Sequence, residues 1–336
     1  MTDNVVLLML VQQNLRVEFH RNERFEASFS LIGVDAAIAN AFRRILMAEV
    51  PTLAIEYVFI HDNTSVIQDE VLAQRLGLIP LQGSAEGLNN MRWFKKPNEE
   101  EGIEGSQPTD FNTVVLQLGV ECSENPSAAP GETDPRKLYR HAHVYARDIT
   151  FSPVGRQEKV FAGDGEIRPV NPDILIAKLR PGQKILLEMH CIKGIGADHA
   201  KFSPVATATY RLLPDIKITR PIIGEDAAKF AKCFPRGVIG LEKVTPEEAA
   251  HLGSDYEGRV GEDKAVVIDP FKDTVSRECL RHDEFKDKVK LGRVRDNFIF
   301  NVESTGQFDS DFLFLESVKV LKLKCARWKR GMSDLR

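Results

Sequence analysis

The chain has 336 residues, 43% of them hydrophobic and 28% charged, which is the composition of a soluble globular protein long enough for two or three domains. A formal net charge of −4 gives no global electrostatic attraction to nucleic acid. The five cysteines (Cys122, Cys191, Cys233, Cys279 and Cys325) are odd in number and never within three residues of one another, which argues against a disulfide framework or a zinc knuckle and for a reducing compartment.

The apolar run at residues 5–11 follows Asp3, has no basic leader or small-residue cleavage site, and is too short for a membrane span. It reads as a buried strand or helix start, and no later stretch could cross a bilayer. Residues 25–32 alternate, with Phe25, Ala27, Phe29 and Leu31 on one face of a strand that Gly33 breaks. Asp35 is a good N-cap for a helix over 36–49, and Pro51 stops it. A strand over 53–60 alternates through Ile55, Tyr57 and Phe59. Asp69 can cap a short helix through Leu76, Gly77 ends it, and Leu78 to Leu81 resumes an extended path.

Residues 84–110 and 124–137 are acidic and aperiodic and read as surface loops. Short strands are expected at 113–121, 143–149, 174–179, 184–191 and 206–213, a β-rich middle region of mixed or antiparallel pairing. Beyond Pro214, short helices are expected at 225–234 and 245–252, and strands at 265–268 and 298–303. A Ser304-Thr305-Gly306 turn then leads into a long helix over 309–329.

Two of these helices carry patterns worth weighing. In the last one, Phe314, Val318, Leu321, Cys325 and Trp328 are spaced 4, 3, 4, 3, the spacing of a coiled-coil-like seam. Lys319, Lys322, Lys324, Arg327, Lys329 and Arg330 take other faces and load the final turns, where the helix dipole favours cations. Periodicity alone is satisfied by packing on its own domain or partly on a second subunit. A nucleic-acid helix fits less well, because the charges are spread. In the 36–49 helix, Ile38, Phe42 and Ile45 are spaced 4, 3, and Ala39, Ala41 and Ala48 add small faces. Arg43 and Arg44 point about 100° apart. They fit a solvated surface or an interface, where the guanidinium fork pairs with carboxylates and carbonyls.

The segment Asn40-Ala41-Phe42-Arg43-Arg44-Ile45-Leu46-Met47-Ala48-Glu49-Val50-Pro51 closely resembles the dimerisation-helix motif of RNA polymerase alpha subunits. Asp69 to Leu81 is similar to the matching segment of archaeal and eukaryotic alpha-like subunits. Lys193-Gly194-Ile195, His199-Ala200-Lys201 and Pro204 resemble that family's loop before the last strand of its inserted domain. Asn297 to Glu303 and the last helix resemble its C-terminal strand and second dimerisation helix. The polymerase II branch carries a zinc-binding cysteine cluster after Leu-Ile-Pro-Leu, whereas residues 82–110 here contain no cysteine. The archaeal branch often carries an iron–sulfur insertion. The segments around Cys233 and Asp269-Pro270-Phe271-Lys272 resemble that insertion, but only Cys233 and Cys279 remain as ligands. The chain therefore best resembles the alpha-like subunit shared by RNA polymerases I and III.

That resemblance implies an α+β fold. A discontinuous dimerisation domain (1–50 and 285–336) would hold a β-rich insertion (51–213) and a ferredoxin-like module without metal (214–284). It implies no catalysis and no cofactor. The expected role is assembly, as a heterodimer with the small alpha-like subunit that docks the second-largest subunit beside other polymerase I and III subunits. DNA would be met only through the complex, with no membrane involved, in the nucleus and nucleolus. By the same resemblance Ile38, Ala41, Phe42, Ile45, Leu46, Phe314, Val318, Leu321, Cys325 and Trp328 form the dimer interface. Arg43, Arg44, Arg75, Leu76 and Gly77 dock the large subunit.

Catalytic patterns are weak. Asp198, His199 and Ser203 are neighbours in sequence, but nothing marks a strained nucleophile turn. Gly194-Ile195-Gly196 lacks the third glycine and the helix of a phosphate loop. His141 and His143, even with Cys122, leave a metal site short of ligands. A ferredoxin-like redox protein and a free-standing nucleic-acid binder are the alternative functions.

Overall fold

The computed structural model describes residues 15–96, 105–250 and 256–334. The apolar run at 5–11 lies outside the described residues, as do 97–104 of the acidic stretch and 251–252 of the helix expected at 245–252. The fold is α+β, and contacts divide it into two compact units. One includes Phe29–Ala39 and Tyr210–Phe300; the other includes Phe19–Ser28, Asn40–Thr209 and Asn301–Arg336.

The alternation at 25–32 produces the strand Glu26–Ile32, in which Ala27, Phe29 and Leu31 are buried. Phe25 falls just before the strand and is exposed. This strand belongs to a four-stranded sheet in the order Arg16–Asn22, Glu26–Ile32, Val289–Ser304, Val205–Ile218. In the unit containing Tyr210–Phe300, aromatic rings fill the sheet's covered face. Phe29 stacks on Phe300 at 5.3 Å between centroids, and Tyr210 meets Phe298 edge-on at 5.4 Å. The same unit has a second cluster, in which Phe230 contacts Phe234 and Phe285 edge-on beneath the helix Glu225–Lys232 and the hairpin of Ile239–Lys243 with Asp263–Val267. Cys279 is buried there, and desolvation pushes its thiol up to about 11.

In the other unit an antiparallel sheet runs in the order Thr52–Asn63, Lys184–Gly194, Thr113–Glu121, Thr150–Ser152. Its register sets Met189 opposite Leu116, Leu187 opposite Leu118 and Cys191 opposite Val114, and all six side chains are buried. A period of two thus aims one face of each strand into a single core. The helix Asp69–Gly77 covers that core with Leu72 and Leu76.

Local departures from expectation have local causes. Asp69 is the first residue of its helix rather than the cap: Gln68 occupies the N-cap position, and the Asp69 carboxylate accepts from the Asn63 amide at 2.7 Å. Gly77 stays helical and buried, and the helix ends at Leu78 without a left-handed residue. Part of the expected 84–110 loop is the helix Ala85–Asn90, capped by Ser84 Oγ accepting from the Gly87 N–H. It is under two turns long, too short to show a helical period. The strand expected at 143–149 ends at Tyr145, where a 3-10 turn, Ala146–Asp148, begins. The Tyr145 N–H donates to Asp148 Oδ2 there at 2.8 Å.

Candidate dimerisation surface

The helix Ala36–Ala48 begins as its sequence predicts, with the Ala37 N–H donating to Asp35 Oδ1 at 2.7 Å. Its inward stripe is Ala39, Phe42, Ile45 and Leu46, all buried. Phe42 meets Phe314 of the helix Ser310–Asp334 edge-on, with centroids 5.4 Å apart. Ile38 and Met47 are exposed, each at 43%, and Ala41 is half-buried.

The C-terminal end of that helix is closed by the Lys193–Lys201 motif. The Ala197 N–H donates to the Ala48 carbonyl at 2.9 Å, satisfying one of the orphan acceptors of the last turn. Gly196 makes the approach possible: a Cβ there would lie 2.3 Å from the Met47 carbonyl oxygen. Gly194 has the same role under the Phe202 ring, 2.6 Å from where its Cβ would sit. Thr52 Oγ1 then donates to the Phe202 carbonyl at 2.6 Å. Lys201 runs inward to donate to the Ile55 carbonyl at 2.7 Å and to pair with Glu56 Oε2 at 2.6 Å; Lys96 takes Oε1 at 2.5 Å. Burial acts to raise the Glu56 carboxyl, but the two lysines outweigh it and hold the group below the usual carboxylate range. Lys193 is buried, donating to the Leu88 carbonyl at 3.0 Å, and desolvation lowers its ammonium despite the carboxylate of Glu316.

The terminal helix Ser310–Asp334 changes character along its length. Ser310, Leu313, Phe314 and Ser317 are buried, and Val320, Leu321 and Lys324 are half-buried, a stripe at helical spacing. Lys324 Nζ reaches both carboxylate oxygens of Glu49, at 2.6 and 2.8 Å. From Cys325 to Ser333 every residue is exposed, including Trp328 at 74% and Met332 at 61%. The expected heptad is therefore split. Phe314 points inward, Leu321 sits at the margin, and Val318, Cys325 and Trp328 face out. Likewise Phe42, Ile45 and Leu46 pack inside this chain, while Ile38 is open. Met47 and Leu315 are exposed apolar residues outside both heptad patterns, whereas the exposed Met332, four residues past Trp328, continues the seam by one step beyond the residues that sequence spacing selected.

Of the five residues expected to dock a large subunit, Leu76 and Gly77 are buried within the unit. Arg75 is exposed, and its guanidinium donates to the Leu175 carbonyl at 2.9 Å. Arg43 lies along its own helix, with Nε and Nη2 on Asn40 Oδ1 at 3.1 and 2.9 Å. Arg44 is exposed. Among the described residues no three His, Cys, Asp or Glu side chains converge as a metal site, and no helix is long and apolar enough to cross a membrane.

Residues 28–325, which include the buried face of both helices, match the RNA polymerase Rpb3/Rpb11 dimerisation domain. The chain belongs to that family. The alpha-like resemblance read from the four motifs is borne out. Among Rpb3/Rpb11 relatives, the DNA-directed RNA polymerases I and III subunit RPAC1 of Saccharomyces cerevisiae is 54% identical over 301 residues, covering 89% of this chain and 82% of the yeast protein. Its Bos taurus counterpart is 48% identical over 317 residues, 94% of this chain and 84% of the bovine protein. The DNA-directed RNA polymerase II subunit rpb3 of Dictyostelium discoideum is 30% identical over 315 residues, 91% of each chain.

Proposed function

We propose that this chain is a non-catalytic assembly subunit of nuclear RNA polymerases I and III. It pairs with the small alpha-like subunit through the outward face of the terminal helix and the open positions of the 36–48 helix. The observation that carries the reading is the fully exposed stretch from Cys325 to Ser333, with Trp328 and Met332 uncovered, at the end of a family whose matched domain is a dimerisation domain. A nine-residue helical extension is about 13 Å long. It continues a helix whose earlier turns are packed on this chain, so it is held out as a helical surface with no cover of its own, the form a partner's helix would pack against. The higher identity to polymerase I and III subunits than to a polymerase II subunit supports the branch, as does the cysteine-free segment at 82–110.

The discontinuous division also belongs to this reading, with 1–50 and 285–336 dimerising around the insertions 51–213 and 214–284. Support comes from the two hydrophobic clusters: the one of Leu53 to Cys191 falls inside the first insertion, and the one of Ile216 to Val289 follows the second. Arg43, Arg44 and Arg75 are the residues to dock the second-largest subunit; Leu76 and Gly77 hold that segment in place from beneath. The redox alternative has only Cys233 and Cys279 in its module, and burial raises both thiols.

The test is co-expression with the small alpha-like subunit, followed by sedimentation and native mass spectrometry of complexes purified through this chain. The expected result is a one-to-one heterodimer and recovery of polymerases I and III. A chain that stays monomeric beside that subunit at high concentration would overturn the reading.

A further inference from the structure

Within the unit of Tyr210–Phe300, three arginines share one hollow. It has a volume of about 510 Å³, and Arg277, Arg293 and Arg295 line it together with Leu212, Val275 and Leu291. Leu212 lies on the end strand of the four-stranded sheet, Val205–Ile218, and Leu291, Arg293 and Arg295 lie on its neighbour, Val289–Ser304. A period of two puts Leu291, Arg293 and Arg295 on one face of that strand. The third arginine arrives on a turn of unusual backbone. Val275 has φ 61° and Arg277 φ 57°, both in the left-handed region that β-branched residues in particular avoid. This turn sets Arg277 at the rim of the hollow.

The charges are open. All three arginines are exposed, and none has an ion pair among the described residues. Two of the nearby acids are engaged elsewhere: Asp215 pairs with Lys217 at 3.0 Å, and Glu278 pairs with Arg281 at 3.2 Å. A chain of net charge −4 that leaves three guanidinium groups unpaired around one hollow presents a local cationic site against its own overall charge.

We infer that this hollow is a docking site for an acidic protein segment in which carboxylates flank an aliphatic side chain. Guanidinium forks match carboxylates in bidentate geometry. Leu212, Val275 and Leu291 offer the intervening apolar floor. Nucleic acid fits less well: single strands bind by stacking bases on aromatic side chains, and no aromatic residue lines the hollow.

Fluorescence anisotropy on the full chain at low ionic strength tests the site, with a labelled peptide of alternating Glu and Leu as the probe and a single-stranded oligonucleotide of matched charge as comparator. The expected result is saturable peptide binding that weakens at least tenfold in the R293E/R295E variant and several-fold in R293K/R295K, which keeps the charge and loses the fork. R277A should weaken it as well. Thermal melting of each variant should match the parent, because all three side chains are exposed. Three outcomes overturn the proposal: no peptide binding, binding indifferent to both double variants, or an oligonucleotide bound more tightly than the peptide through the same arginines.

Discussion

Glu56 shows what a single ion pair contributes when its members are largely covered. Its carboxylate is 14% exposed and the Lys201 ammonium 12%. Removing one member of such a pair leaves an unmatched charge, at a cost of about 3 kcal/mol. Glu56→Gln should lower the unfolding free energy at pH 7 by that order in urea titration. The pH dependence has a definite sign. The folded carboxyl sits below its unfolded value, so its contribution is complete above about pH 4.3 and is lost as pH falls through the lower folded value. The parent should therefore lose stability more steeply below that pH than the Gln variant. Gly196 is the second decisive residue. An added Cβ meets the Met47 carbonyl at 2.3 Å, and Gly196→Ala should cost about 2 kcal/mol. Gly331→Ala, where nothing lies within 4 Å, should be neutral or slightly stabilising by the same measurement. The sequence showed Gly196 only in a failed phosphate loop, since its reason is a carbonyl about 150 residues away in the chain.

At the scale of elements, alternation and helical spacing located both motif helices and strands such as Glu26–Ile32, Thr113–Glu121 and Lys184–Gly194 to within a few residues, because a period of two or 3.6 is local information. Arg16–Asn22 and Ile239–Lys243, in contrast, were not expected, and Val289–Ser304 begins nine residues before its expected start. Which side of a helix its own chain covers is not local. The Phe314-Val318-Leu321-Cys325-Trp328 spacing reads as one seam, yet the stripe that packs inward is Leu313, Phe314, Ser317, Val320 and Lys324. Two small or polar residues in that stripe hide it from a hydrophobic pattern: Ser317 is buried with its hydroxyl donating to the Phe314 carbonyl, and Lys324 is held by Glu49. The contributions of these contacts should differ sharply. Lys324 and Glu49 are 44% and 31% exposed, so Lys324→Met should cost about 1 kcal/mol or less, and less again in high salt. Phe314→Ala removes a buried ring that meets Phe42, and should cost about 3–4 kcal/mol. Denaturation of the two variants side by side would expose an error in this ranking if Lys324→Met proved the more damaging.

At the scale of the whole molecule, folding and association draw on different parts of one helix, and substitution can separate them. Trp328 and Met332 are 74% and 61% exposed, so replacing them removes little from the chain's own core. Trp328→Glu with Met332→Glu should leave the melting temperature of the isolated chain within about a degree or two, the range of exposed substitutions away from special sites. If that face carries the small alpha-like subunit, the same variant buries a carboxylate against an apolar partner and loses an aromatic anchor. Losses at such anchors run to about 2–4 kcal/mol, so the heterodimer dissociation constant should rise at least thirtyfold in sedimentation or titration calorimetry. Phe314→Ala is the counter-case, because it weakens the fold first and association through it. A seam variant that melts early, or a correctly folded one that still binds the small subunit as tightly as the parent, would place the dimer surface elsewhere on the chain. With the fold intact and association gone, the exposed turns after Lys324 act as interface, and the buried turns before it fix the direction in which that interface projects.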